Sequence, residues 1–225
     1  MNKQHILQQF DNELGDIRGK LLQMGGMVED MMKAAIDGFS TGNTAQLNEV
    51  LEQERQVNAF EIEIDDLCNH VIAKRQPIAT DLRFLVASLK LIRDLERAGD
   101  EAEKMARSAI RFHEAGPGSA HRLDFAPMAA HVTSMLHKAL DAYAREDAEV
   151  LIEIVREDKI VDEHFRNTIR LLISYVLEDA RTISRSIDML FFAKALERIG
   201  DHSKNIAEHV VFMVKGRDMR HMPVD

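Results

Sequence analysis

One acidic motif occurs twice in this chain, each time within a long apolar segment. Glu96 and Asp100 lie four residues apart in the first half, and Glu197 and Asp201 have the same spacing in the second. In an α-helix this spacing places both carboxylates on one face, one turn apart. Like charges so placed repel by a few tenths of a kcal/mol, so folding alone does not favour the pair. A hard cation would favour it, because such ions gather carboxylate oxygens from neighbouring turns.

A second pair of oxygen-bearing side chains precedes each motif. Asp158 and Asp162 precede the second motif, and the matching positions before the first are Glu54 and Asn58. If the helices that carry them pack antiparallel to the motif helices, each half presents three or four oxygen ligands from two helices. Asn58 offers only a neutral amide oxygen, so the first set has one carboxylate fewer.

A solvated polar face is the alternative interpretation of the same residues. Arg97 and Arg198 directly follow the motif glutamates, and surface ion pairs of this kind contribute about 0–1 kcal/mol. Gly99 and Gly200 directly precede the motif aspartates, although glycine within a helix costs about 1 kcal/mol relative to alanine. Glycine here leaves room for a neighbouring helix, a water or a metal. Spacing alone leaves both interpretations open.

The elements that must position these residues are long helices. The 225 residues include only 11 Gly, 4 Pro and no Trp, and apolar residues recur at helical spacing through most of the chain. The one dense group of helix breakers lies between His113 and Pro127 and contains the sequence Gly-Pro-Gly-Ser. We therefore predict six helices of about 25 to 35 residues, three on each side of this linker.

An internal repeat supports this division. Residues 95–100 (LERAGD) match residues 196–201 (LERIGD), and weaker identities align the preceding helices of the two halves. The sequence thus predicts an all-α fold of two tandem, pseudo-symmetric three-helix bundles. We place the first bundle at residues 1–115 and the second at residues 116–225.

Composition excludes several classes of protein. The net charge is −9 and no basic stripe is present, which argues against a nucleic-acid partner. No run of about 18 apolar residues exists, so we expect no direct membrane insertion, and without a secretory signal we expect a cytoplasmic protein. The single cysteine, Cys68, cannot form an internal disulfide. The chain has no phosphate loop and no nucleophile in a catalytic frame, so we expect binding rather than catalysis.

Several segments also resemble the PhoU family of phosphate-uptake regulators, nearly end to end. The segments that carry the resemblance are residues 21–29 (LLQMGGMVE), 73–83 (AKRQPIATDLR), 95–100, 196–201 and 214–216 (VKG). The resemblance implies a fold of two tandem three-helix bundles, in agreement with the repeat.

The resemblance also implies metal sites. The family's E(D)xxxD motifs, which bind metal clusters in some members, correspond to three pairs here and to a fourth pair that departs from the pattern. Divalent or iron-type ions are the expected metals. The corresponding residues are Glu96 and Asp100, Glu197 and Asp201, Asp158 and Asp162, and, in the divergent pair, Glu54 and Asn58.

The function that the resemblance implies is negative regulation of the phosphate-starvation response and of phosphate uptake. The implied partners are the ATPase subunit of the phosphate ABC transporter and a phosphate-sensing histidine kinase. Members of the family commonly form dimers, so the resemblance also implies a homodimer. The alternative is a metal-dependent enzyme with a carboxylate site, either a phosphohydrolase or an oxidase. The sequence lacks the general acid or base and the histidine ligands that such an enzyme needs beside the acidic pairs. A plain adaptor with incidental metals is a third possibility.

Overall fold

The computed structural model describes residues 3–116 and 123–217, with side chains from residue 8 onward. The described residues form six α-helices and one short 3-10 helix, with no strand, so the all-α prediction is confirmed. The helices are α1 (Lys3–Thr41), α2 (Thr44–Arg75), α3 (Ala79–Glu114), α4 (Ala126–Arg145), α5 (Leu151–Glu178) and α6 (Ile183–Lys215).

Three helix lengths fall outside the predicted range. Helix α1 has 39 residues and α4 has only 20, whereas α3, with 36, exceeds the range by one residue. The break between the halves is also shorter than predicted, because α3 continues through His113 to Glu114 and Pro127 lies in the first turn of α4. Proline suits a first turn, where the amide proton that it lacks has no helical partner. Residues 117–122 of the predicted linker lie outside the described residues, and the boundary between residues 115 and 116 stays a prediction.

The two bundles share one core along an antiparallel pair, α3 and α6. Buried apolar residues from all six helices form a single contiguous cluster. At one end of the pair, four aromatic rings join α1, α3 and α6 across the bundles, with centroids 4.5 to 5.1 Å apart between successive rings. These rings belong to Phe39, Phe112, Phe125 and Phe192. The motif helices are therefore the central helices of the molecule.

Within the described residues, the N-terminal half of α1 has no counterpart in the second bundle. Its residues Ile17 and Leu21 are fully buried in the first bundle. Glu13 accepts two hydrogen bonds from the Arg75 guanidinium at the end of α2, both at 2.8 Å. That hydrogen-bonded pairing holds the pKa of Glu13 below its usual value, against the opposing effect of burial. The first bundle is thus closed at this end by its own chain.

Candidate functional site

Each acidic motif lies on the central helix of its bundle, half-buried, with its glycine against the bundle core. A Cβ added to Gly99 would lie 3.1 Å from Cγ1 of Val57 on α2, so this glycine allows α2 to approach closely. The same test at Gly200 gives 3.6 Å to Cε of Met135, an ordinary contact. Of the reasons proposed for these glycines, close helix packing accounts for Gly99.

Helices α2 and α3 bring the four predicted residues of the first half together, and we call Glu54, Asn58, Glu96 and Asp100 the first cluster. Burial raises the pKa of Glu96, and the charges of Asp100, Glu61 and Glu54 raise it further. Asn58 donates its amide to Glu54 Oε1. The other amide atom, Asn58 Oδ1, is buried and has no hydrogen-bond partner. The first cluster therefore holds crowded negative charge and one unsatisfied acceptor.

Helices α5 and α6 bring the four predicted residues of the second half together. We call Asp158, Asp162, Glu197 and Asp201 the second cluster. Burial raises the pKa of Asp201, and the neighbouring Asp158 and Asp162 carboxylates add to the effect. Burial is also the largest cause of the raised pKa of Glu197. Both predicted groupings are thus close enough in space to interact electrostatically.

Lysines distinguish the second cluster from the first. Lys204 Nζ lies 2.6 Å from Asp158 Oδ2, and Lys194 Nζ lies 2.5 Å from Glu197 Oε2. Burial alone would lower the pKa of Lys204, but the hydrogen bond and charge of Asp158 outweigh it, and the pKa is raised. The second cluster therefore already contains two ammonium groups as counter-charges.

The first cluster has no ion pair of this kind in the described residues, although the charges of Arg97 and Lys104 lower the pKa of Asp100 from a greater distance. The repeat places Glu103 and Arg93 where the second bundle has Lys204 and Lys194. Within residues 3–116 and 123–217, none of the first cluster's three carboxylates has a cationic side chain within 4.0 Å. Arg107, one turn beyond Glu103, instead pairs with that residue at 2.6 Å.

The donors suit a hard cation in kind, since all are oxygens, but their present arrangement does not form a metal site. In the described part of the chain, no three histidine, cysteine, aspartate or glutamate side chains are arranged to hold a metal ion. Binding would require side-chain rotation in the first cluster, and in the second it would also require displacement of Lys194 and Lys204. The metal assignments therefore stay predictions.

A groove of about 610 Å³ on the α3–α6 seam lies between the two clusters. Asp100 of the first cluster and Asp201 of the second both line it. Its cationic lining includes Arg198, which donates to the buried Glu101 carboxylate at 3.3 Å. This groove thus presents the motif aspartate of each cluster on one face of the molecule.

Sequence reasoning missed a polar network that joins the bundles. Asp94 on α3 lies 3.0 Å from His202 Nδ1, from Asn205 Nδ2 and from His209 Nε2, all on α6. Burial raises the pKa of the Asp94 carboxyl, but these three hydrogen bonds outweigh it and hold the pKa well below its usual range. The spacing of the α6 residues, three and seven positions apart, is the signal that places them on one helical face.

A family model described as "PhoU domain" matches this chain twice, at residues 21–109 and 125–210. The chain belongs to the PhoU family. The Pseudomonas aeruginosa phosphate-specific transport system accessory protein PhoU homolog is 41% identical over 218 residues, which cover 97% of this chain and 90% of that protein. Escherichia coli (strain K12) PhoU is 41% identical over 226 residues, covering 100% of this chain and 92% of its own length.

Solved PhoU structures show the same architecture. The crystal structure of PhoU from Pseudomonas aeruginosa has a TM-score of 0.88 at 39% identity, covering 92% of this chain and 100% of that one. The phosphate transport system regulatory protein PhoU from Streptococcus pneumoniae has a TM-score of 0.85 at 23% identity, covering 96% of this chain and 99% of its own. The second likeness bears on the fold alone.

The resemblance to PhoU and the fold of two tandem three-helix bundles are both confirmed by these matches. The relatives are named accessory or regulatory proteins, rather than enzymes. As for membranes, none of the helices within the described ranges combines the length and apolar character needed to cross a bilayer.

Proposed function

We propose that this chain regulates phosphate transport, as a negative regulator of phosphate uptake and of the phosphate-starvation response. The observation that carries the proposal is the match to PhoU accessory proteins at 41% identity over nearly the whole chain. The long-helix scaffold offers extended faces to partners, in keeping with action by binding.

Its partners would be the ATPase subunit of the phosphate ABC transporter and a phosphate-sensing histidine kinase, met at the cytoplasmic face of the membrane by a homodimer. The accessory-protein names of the relatives support contact with the transport machinery. The seam between α3 and α6 supports a single docking face, because a partner lying on it would contact both clusters and both bundles at once.

We also propose that divalent or iron-type cations bind the two clusters, and bind the first more tightly because binding at the second must displace Lys194 and Lys204. The support is the crowding of carboxylates whose pKa values are raised by burial and by each other, together with the unsatisfied Asn58 Oδ1 in the first cluster. A bound cation would neutralise the carboxylates and fix two helices relative to each other, or bridge to a carboxylate of a partner.

Deletion of the gene in its host, followed with a reporter for a phosphate-starvation promoter, tests the regulatory function. We expect the reporter to be active in phosphate-rich medium in the deletion strain, and to be silenced again by a wild-type copy. A reporter that stays silent in the deletion strain would contradict the proposal. Turnover of a phosphate ester by cation-loaded protein, lost in Glu197→Ala, would support a metal-dependent enzyme instead.

A further inference from the structure

Among the described residues, the second bundle has an open tip where only two helices, α5 and α6, pack. Helix α4 begins next to Phe125, whose ring lies 5.0 Å from that of Phe192 on α6. The nine residues of α6 before Phe192, and the end of α5, extend beyond this point. Between them lies a groove of about 300 Å³, lined chiefly by Ile173, Val176, Leu177, Ile183, Ile187 and Leu190.

The lining side chains are large, apolar and exposed to solvent. Leu177 is 81% exposed, Ile173 55% and Ile183 50%. On each helix the lining residues recur three or four positions apart, the spacing of a face that buries against a third helix. A contiguous exposed apolar patch of this kind marks an interaction site.

The first bundle shows what covers such a groove. There the N-terminal half of α1 lies against the end of α2 and the start of α3, with Phe10 and Leu14 packed on the core and Ile17 and Leu21 fully buried. Positions 10, 14, 17 and 21 have the spacing of a single amphipathic stripe. By the internal repeat, the equivalent occupant in the second bundle is an amphipathic helix.

The rest of this sequence does not supply that helix. Residues 117–122 (PGSAHR) contain no large apolar side chain. Residues 218–225 follow the far end of α6, and Leu190 lies 25 residues before that end, about 38 Å along the helix. Ten fully extended residues after α6 span at most about 35 Å. None of these residues can therefore cover the groove.

The charge at the rim of the groove indicates the chemistry of the occupant. Arg166 and Arg170 lie on the same side of α5 as Leu177, and both are exposed. The nearest carboxylate oxygen to Arg166 in the described residues is 3.5 Å away, on Asp162. Arg170 donates to the neutral Asn167 at 3.4 Å. The equivalent positions on α2 are Ile62 and Asp66, so this basic rim is specific to the second bundle.

We propose that the open tip of the second bundle binds an amphipathic helix of a partner protein, with acidic residues flanking its apolar stripe. The apolar stripe enters the groove between α5 and α6, as the α1 stripe does in the first bundle. The acidic flank meets Arg166 and Arg170. The same groove and basic rim would be used whichever partner protein supplies the helix.

A synthetic peptide with the sequence of residues 8–24 serves as the probe, because it carries the α1 stripe together with Asp11, Glu13 and Asp16. Its binding to the full-length protein is followed by fluorescence anisotropy. We expect saturable binding that is weakened at least about tenfold in the Ile173→Asp/Leu177→Asp variant. The control variant is Ile62→Asp, an exposed apolar position outside the groove, which should bind as the wild type does.

Charge reversal provides a second test of the proposed binding. A peptide with lysine at the three acidic positions should bind the wild type at least about tenfold more weakly, and Arg170→Glu should reverse the preference. No measurable binding, or equal binding to wild type and to Ile173→Asp/Leu177→Asp, would overturn the proposal. A wild-type dimer in sedimentation experiments that this double variant dissociates would also overturn it, because the groove would then join two copies of this chain.

Discussion

The two bundles come from one repeated sequence, yet they neutralise their acidic clusters differently. The second cluster holds Lys194 and Lys204 within 2.5 to 2.6 Å of its carboxylates, whereas the first has no cation at that distance in the described residues. The spacing of the carboxylates was kept after duplication, but the balance of charge around them was not. Within the described residues the first cluster has no ion pair, and Arg97 and Lys104 act on it only from more than 4.0 Å away, whereas the second cluster is paired with its own lysines.

The bundles also differ at their ends. In the first bundle α1 covers the groove between α2 and α3, while in the second bundle the equivalent groove is open. In the first half the chain itself thus supplies the third helix that covers the groove. In the second half, none of the described residues covers it. The predictions below separate these two differences.

The largest effect on stability is expected at the end of the first bundle that α1 covers. Ile17→Ala should lower the free energy of unfolding by about 3 kcal/mol, because Ile17 is fully buried and the substitution leaves a cavity. Ile173→Ala, at the open tip, should change it by less than about 0.5 kcal/mol. Urea unfolding of both variants measures the difference. Equal losses would show that the second tip is covered in solution.

Removal of a lysine from the second cluster should come next. Lys204→Met leaves Asp158 and Asp201 half-buried beside each other without their counter-charge, and should cost about 1–2 kcal/mol of stability. The control is Lys215→Met, since Lys215 pairs with Glu149 where both side chains are exposed; it should cost less than about 0.5 kcal/mol. Adding Asp158→Asn to Lys204→Met should recover most of the loss.

Alanine substitution should change the stability of the protein differently at the two motif glycines. Gly200→Ala should stabilise the protein by about 0.5–1 kcal/mol, because alanine favours the helix and its Cβ meets only ordinary contacts. Gly99→Ala should gain less or lose stability, because its Cβ would lie 3.1 Å from Val57 Cγ1. Thermal unfolding of the two single variants is sufficient to compare them. A larger gain at Gly99 would exclude close packing as the reason for that glycine.

The first cluster should make stability fall as pH rises. The pKa values of Glu96 and Asp100 are raised in the folded protein, chiefly by burial. Between the ordinary and the raised pKa the folded state binds more protons than the unfolded state, so ionisation destabilises the fold. Glu96→Gln/Asp100→Asn should therefore raise Tm at pH 7, by about 1–3 °C.

Below about pH 3 that gain should vanish, since the wild-type carboxyls are then protonated in both states. Scanning calorimetry from pH 3 to pH 8 in the absence of added metal measures the dependence. A gain that is constant across the range, or larger in acid, would contradict crowding of the two carboxylates.

The fold was predictable because apolar periodicity and the LERxGD repeat are local signals that survive in a single sequence. The pairing of Glu54 and Asn58 with the first motif followed once antiparallel packing was assumed. The length of α1 was not predicted, and the expected range of helix lengths was too long for α4. The start of α4 was also placed too late, because Pro127 was assigned to a linker although proline fits a helix's first turn.

The lysines were missed although their spacing was visible. Lys194 stands three residues before Glu197, and Lys204 three residues after Asp201, which places each beside a motif carboxylate on the same helix. The hydrogen bonds of Asp94 could not be predicted from the sequence, for a different reason. Its three partners lie more than 100 residues away, and only the antiparallel register of α3 and α6 brings them together.

Cation binding tests the contrast between the clusters most directly. Mn²⁺ is titrated into the wild type, Glu96→Gln/Asp100→Asn and Glu197→Gln/Asp201→Asn, with Tm as the readout. At a concentration 100-fold above Kd, binding to the folded state alone adds about 2.7 kcal/mol. We predict that the Tm increase persists in Glu197→Gln/Asp201→Asn and is largely lost in Glu96→Gln/Asp100→Asn. An increase that depends on Glu197 and Asp201 instead would contradict the conclusion that the cluster without paired lysines is the one that binds a cation more tightly.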